Sequence, residues 1–138
     1  MAKLGSRASF NGTVVEEITA AKTLDPSDSG KVFTIDASSA YTISLPKAAD
    51  AGVGWNCRFI VTTGGSSIVT VAPDSSEDTL IGMIGSADAS GGESAESGVD
   101  ELQFLAACEP GEWAELICDG SNFYVSGQQH DNDHMTLS

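Results

Sequence analysis

From Val14 onward, no apolar pattern in this chain runs for more than a few residues before Gly, Pro, Asp or Ser interrupts it. Short runs rich in β-branched and aromatic residues, punctuated this way, are the signature of strands joined by turns, and no 3.6-residue periodicity competes with them. Lys31 to Asp36 places Phe33 and Ile35 on one face and Val32 and Thr34 on the other. Tyr41, Ile43 and Leu45 alternate with Thr42 and Ser44 until Pro46 ends the run. Val14 to Ala20, Asn56 to Thr62, Ser67 to Ala72 and Leu80 to Ile84, the last interrupted by Gly82, read as further strands. Asp25 to Gly30 is a turn, with Pro26 pre-setting φ and Gly30 free to take a positive one. Lys47 to Gly54 reads as a turn or a single helical turn.

The C-terminal half gives a three-stranded meander: Val99 to Cys108, a turn at Glu109-Pro110-Gly111-Glu112, Trp113 to Cys118, a turn at Asp119 to Asn122, then Phe123 to Ser126. Across the second turn Cys118 faces Phe123 and Leu116 faces Val125. Residues 85–98 are almost entirely Gly, Ser, Ala, Asp and Glu, too little apolar surface to offset ordering, and so read as a long exposed loop, or alternatively as a short Ala/Glu helix. The expected fold is all-β, a small antiparallel β-sandwich or jelly-roll-like domain over residues 13–127. It is flanked by an extended N-terminal arm, residues 1–12, and a polar tail, residues 128–138, without core signal.

With 138 residues, 41% hydrophobic and 19% charged, the chain is one domain's worth of sequence, too apolar for disorder and too polar for a membrane protein. No apolar run approaches the roughly 18 residues of a membrane span. The N-terminus carries positive charge with no apolar stretch behind it, so no secretory signal is expected. The net charge is -14, which argues against nucleic acid as a partner. All six basic residues (Lys3, Arg7, Lys22, Lys31, Lys47, Arg58) lie at or before position 58, whereas acids continue to Asp133 with no Lys or Arg among them. This either gives a solvated, aggregation-resistant surface or turns a repulsive half outward and leaves the N-terminal half to make contacts.

Chemistry-bearing patterns are sparse. Cys57, Cys108 and Cys118 form no Cys-x-x-Cys motif. A hairpin at 109–112 would leave Cys108 and Cys118 roughly 17 Å apart at ~3.3 Å per residue, so all three read as reduced core residues. The two histidines, His130 and His134, stand with Asp131 and Asp133 in the polar tail. They can chelate a divalent metal only if an ordered loop brings them together, and the expectation is a solvated tail with no metal site and no cofactor. Nucleophile-elbow, phosphate-loop and His-Glu-x-x-His motifs are missing. A glycosidase carboxylate pair is open by count alone, but Trp55, Trp113, Tyr41 and Tyr124 offer few sugar platforms, and both Trp residues stand at strand starts where they cap a core. Asp25, Asp28, Glu77, Asp78 and Asp119 lie in turns, without the spacing of an EF-hand.

Two stretches carry a resemblance. One is Ile18-Thr19-Ala20-Ala21-Lys22-Thr23-Leu24, Asp28 to Asp36 and Tyr41-Thr42-Ile43-Ser44-Leu45-Pro46; the other is Gly111 to Gly127, with its Asp119-Gly120-Ser121-Asn122 turn. Over about residues 18–127 the chain resembles small structural proteins of tailed phages: capsid decoration (cement) proteins, head fibres and tail-fibre parts. The resemblance implies a virion component with no catalytic residues. The expectation is a non-enzymatic protein, made in the host cytoplasm, that forms a homotrimer on the capsid exterior and contacts the major capsid protein. Lys3, Arg7 and Phe10 of the arm would make that contact. The rival readings are a carbohydrate- or receptor-binding fibre module and a carboxylate hydrolase.

Overall fold

The computed structural model describes residues 12–74, 78–88 and 91–138. Twelve strands form two sheets packed face to face over one core. In chain order they are β1 (Val15–Ile18), β2 (Lys22–Thr23), β3 (Lys31–Asp36), β4 (Tyr41–Ser44), β5 (Asn56–Thr63), β6 (Val69–Ala72), β7 (Leu80–Ser86), β8 (Glu93–Val99), β9 (Leu102–Phe104), β10 (Trp113–Cys118), β11 (Phe123–Gln129) and β12 (Met135–Leu137). A seven-stranded sheet runs β1-β3-β5-β10-β11-β7-β8 and a five-stranded sheet runs β12-β9-β6-β4-β2. The fold is therefore all-β and sandwich-like. Among the described residues, helix is limited to α1 (Ala48–Ala51) and a 3-10 turn at Pro26–Asp28, and no helix is long and apolar enough to cross a membrane.

The sheets are mixed rather than purely antiparallel. Each of the first six strands lies in the opposite sheet from its predecessor, so β1, β3 and β5 pair in parallel in one layer while β2, β4 and β6 do so in the other. Parallel neighbours need a crossover, and here the strand in the facing sheet supplies it. The first half is thus a flattened coil of three turns. The second half instead places two antiparallel hairpin pairs, β7-β8 and β10-β11, in the larger sheet, each followed by a strand, β9 or β12, in the smaller.

Inward positions follow the alternation. Phe33 and Ile35, Cys57, Phe59 and Val61, Ala114, Leu116 and Cys118, and Phe123 and Val125 are all buried. Phe59 stacks on Phe33 at 5.7 Å and meets Phe104 of the opposite sheet edge-on at 6.5 Å, joining the two layers. Trp55 closes one end against Phe123 at 5.8 Å and donates its indole N–H to Asp25 O. All three cysteines are buried and unpaired, and burial pushes their thiols up.

Three readings need correction. The meander reduces to one hairpin. β10 does pair with β11 in the expected register, Cys118 opposite Phe123 and Leu116 opposite Val125, but β9 belongs to the other sheet and pairs with β6 and β12. Residues 105–112 are accordingly a crossover between layers, and Trp113 lies opposite Ile60 and Gln128, not Cys108. The described part of 85–98 is largely strand, not a long loop or a helix. β7 runs on to Ser86 and β8 pairs with it as an edge strand, largely exposed and held by backbone bonds with only Ala95 buried among its side chains. Finally, the tail is not solvated: β11 extends to Gln129 and β12 inserts Met135 and Leu137 into the core.

Candidate functional site

The two outer faces of the sandwich differ in chemistry. Across the five-stranded sheet, register aligns Thr42, Thr70, Gln103 and Thr136 in one outward row. Across the seven-stranded sheet the outward rows mix large apolar and aromatic side chains with polar and charged ones. One aligns Asn56, Ile117, Tyr124 and Ile81; the next aligns Val15, Val32, Arg58, Glu115, Ser126 and Met83. A third brings Ile60 beside Trp113. Val15 is 61% exposed, Met83 66%, Ile117 49% and Tyr124 42%. Trp113 carries the Arg58 guanidinium 5.0 Å above its ring, and Arg58 in turn donates to Glu115. Large apolar side chains gathered on one sheet face are the usual mark of a protein contact surface.

The arm residues assigned to partner contact, Lys3, Arg7 and Phe10, lie outside the described residues. What the structure does show is where their chain leads: residues 12–14 enter β1 at the edge of this same sheet, beside a shallow depression bordered by Gly30, Lys31, Asn56 and Arg58. Three of the four described Lys and Arg residues sit at this end and are already matched. Lys22 and Lys31 both pair with Glu16, Lys31 also pairs with Asp28 at 2.6 Å, and Arg58 pairs with Glu115 at 2.6 Å. These contacts with Lys22 and Lys31 hold Glu16 below its ordinary carboxylate range. Among the described residues these cations are therefore neutralised locally, and Lys47 is exposed at the start of α1.

The histidines that the sequence leaves in a solvated tail are held by Glu112, whose side chain is 1% exposed at the end of the 105–112 crossover. Its Oε2 accepts the Glu109 N–H; its Oε1 accepts the His130 N–H and lies 3.2 Å from His130 Nδ1 and 2.5 Å from His134 Nδ1. Burial alone would lower the His134 pKa, but the Glu112 carboxylate outweighs it and holds the imidazole above its ordinary 6.5. No periodicity could have found this, because the contact joins positions 22 residues apart across two loops.

Most other singled-out carboxylates work as turn hardware. Asp25 accepts the Ser27 N–H and Asp28 returns the Asp25 N–H, closing a capping box around Pro26. Asp78 accepts the Ala48 N–H at the start of α1, and Asp119 accepts the N–H groups of Ser121 and Asn122. Glu77 lies outside the described residues. Of the aromatic candidates, Trp55 caps the core as expected and Tyr41 donates to backbone carbonyls of Ile18 or Asp36, whereas Trp113 and Tyr124 stand on the outer face. The alternation that buries Leu116 also sends Ile117 outward, a signal present in the sequence of β10. No family model, no curated protein and no solved structure matches the chain.

Proposed function

We propose that this chain is a non-enzymatic structural protein of a tailed-phage virion, which self-associates and docks on the capsid exterior through the outer face of its seven-stranded sheet. The observation that carries the docking reading is the contrast between that face, with Val15, Ile81, Met83, Trp113, Ile117 and Tyr124, and the Thr- and Gln-lined face opposite. The virion assignment itself leans on the likeness of the strand and turn motifs to decoration proteins. Residues 12–14 lead into β1 at the edge of this same sheet, so Lys3, Arg7 and Phe10 would extend this contact onto the major capsid protein or a neighbouring copy. The acids that follow Arg58 in sequence would then keep the remaining surface in solvent and discourage non-productive association.

Particles lacking the protein, mixed with purified chain and imaged, test this. Wild type should occupy defined lattice positions and sediment as a trimer in solution. M83D/I117D should fold with an unchanged far-ultraviolet spectrum yet lose occupancy, and deletion of residues 2–12 should lower occupancy while leaving the sandwich intact. Full occupancy by both variants, or binding of wild type to glycans instead of particles, would replace this reading with that of a fibre-associated recognition module.

A further inference from the structure

We propose that the loop before β12 is a divalent first-row metal site, formed by the carboxylates of Asp131 and Asp133 and by His134 Nε2. One ligand atom from each of these three residues lies within 4.8 Å of the others. Ligand bonds of about 2.0–2.2 Å place donor atoms at most roughly 4.4 Å apart, so small rotations of the two exposed aspartates close the gap.

His134 is what distinguishes the cluster from a patch of exposed acid. The residue is 9% exposed, and its backbone C=O accepts the Leu105 N–H, so the ring is fixed before any ion arrives. Glu112 accepts the backbone N–H groups of Glu109 and His130, and its Oε1 lies 2.5 Å from His134 Nδ1, so Nδ1 is the ring nitrogen turned inward. With Nδ1 engaged inward, Nε2 is the ring nitrogen left to face the loop. That atom points toward Asp133, whose Oδ1 lies 3.9 Å away, too far for a hydrogen bond. A buried carboxylate orienting an imidazole whose opposite nitrogen faces further oxygen donors is the outer-shell arrangement of histidine metal ligands.

Charge points the same way. Asp88 lies against Asp131, and Asp133 adds a third carboxylate. The sequence supplies no Lys or Arg after Arg58 to compensate them. An imidazole with carboxylates suits borderline ions such as Zn²⁺ better than Ca²⁺ or Mg²⁺. Glu109 and His130 form an alternative trio with His134. Glu112, however, already engages Nδ1 of both rings.

Isothermal titration of the full chain with Zn²⁺ is the test, read beside nitrogen-15 NMR of the histidine rings. One equivalent should bind saturably and shift the His134 Nε2 resonance. D131N/D133N, altered only at exposed positions, should weaken binding by at least about tenfold. E112Q should weaken it roughly 10–100-fold, the usual effect of losing an outer-shell carboxylate. H130A, which keeps the backbone N–H that Glu112 accepts, should cost clearly less than E112Q. No saturable binding by wild type, unchanged affinity in D131N/D133N, or an equal loss in H130A would overturn the assignment.

Discussion

Asp28 shows how one side chain can hold a turn and a sheet edge together. Its Oδ2 accepts the Asp25 N–H that opens the 3-10 turn, and its Oδ1 meets Lys31 at the start of β3. Burial raises its pKa, but Lys31 and the Asp25 N–H outweigh burial and hold it below the ordinary 3.8. A carboxyl depressed by folding contributes stability that is present above 3.8 and is lost as pH falls through its lower folded value. D28A should therefore unfold about 1–3 kcal/mol more easily at pH 7, as expected for losing a charge-assisted pair of bonds, and the difference from wild type should shrink in urea melts below pH 3. Gly82 marks a second constraint. It sits at φ +153 opposite Val125, and a Cβ there would meet Val125 O at 1.9 Å. G82A should cost at least about 2–3 kcal/mol, read as a shifted urea midpoint, because β7 must separate from β11 to admit the methyl group.

At the scale of elements, β12 makes the sharpest demand. Met135 is fully buried, Leu137 nearly so, and the strand pairs with β9 along its whole length. M135A should lose about 2–5 kcal/mol in chemical denaturation, and deletion of residues 130–138 should expose Phe104 and Leu102 and give an aggregating chain. The sequence conceals this strand because three residues are too short for alternation to register among Asp, Asn, His and Ser. The strands of the first half were legible for the opposite reason: Phe33 and Ile35, then Tyr41, Ile43 and Leu45, then Cys57, Phe59 and Val61 each stand at two-residue spacing between turn residues that end the run. Pairing was not legible. Alternation says which face is buried but not which sheet the strand joins, so the assumption that sequential strands form hairpins held for β10-β11 and failed for β9. β8 escaped because an edge strand can be made from Ser, Gly and Glu when its neighbour supplies the hydrogen-bonding partners. Of the candidate site, the apolar outward residues could be read from β10 and β11, whereas the Glu112–His134 contact required the fold.

Across the whole molecule, sheet order converts a charge asymmetry along the sequence into one in space. Strands β1, β3 and β5 stand at one end of the large sheet with Lys31 and Arg58, while β11, β7 and β8 stand at the other with Glu93 and Glu96 and no cation. The seam falls between β5 and β10, where Arg58 meets Glu115. Repulsion among acids at the β8 end opposes folding and self-association alike, and it acts between exposed groups over distances that salt screens, the Debye length falling from roughly 30 Å at 0.01 M to about 3 Å at 1 M. The ion pairs of the β1 end are screened too, but exposed pairs are worth only about 0–1 kcal/mol each, so relief of the larger acidic imbalance should win. The melting temperature should therefore rise by several degrees between 0.01 and 0.5 M NaCl, and the sedimentation equilibrium should move toward the oligomer. Replacing Glu93 and Glu96 by Gln should raise the melting temperature at low salt and flatten its dependence on NaCl. A melting temperature that falls with salt would mean that the β1-end ion pairs, not the acidic end, dominate the molecule's electrostatic balance.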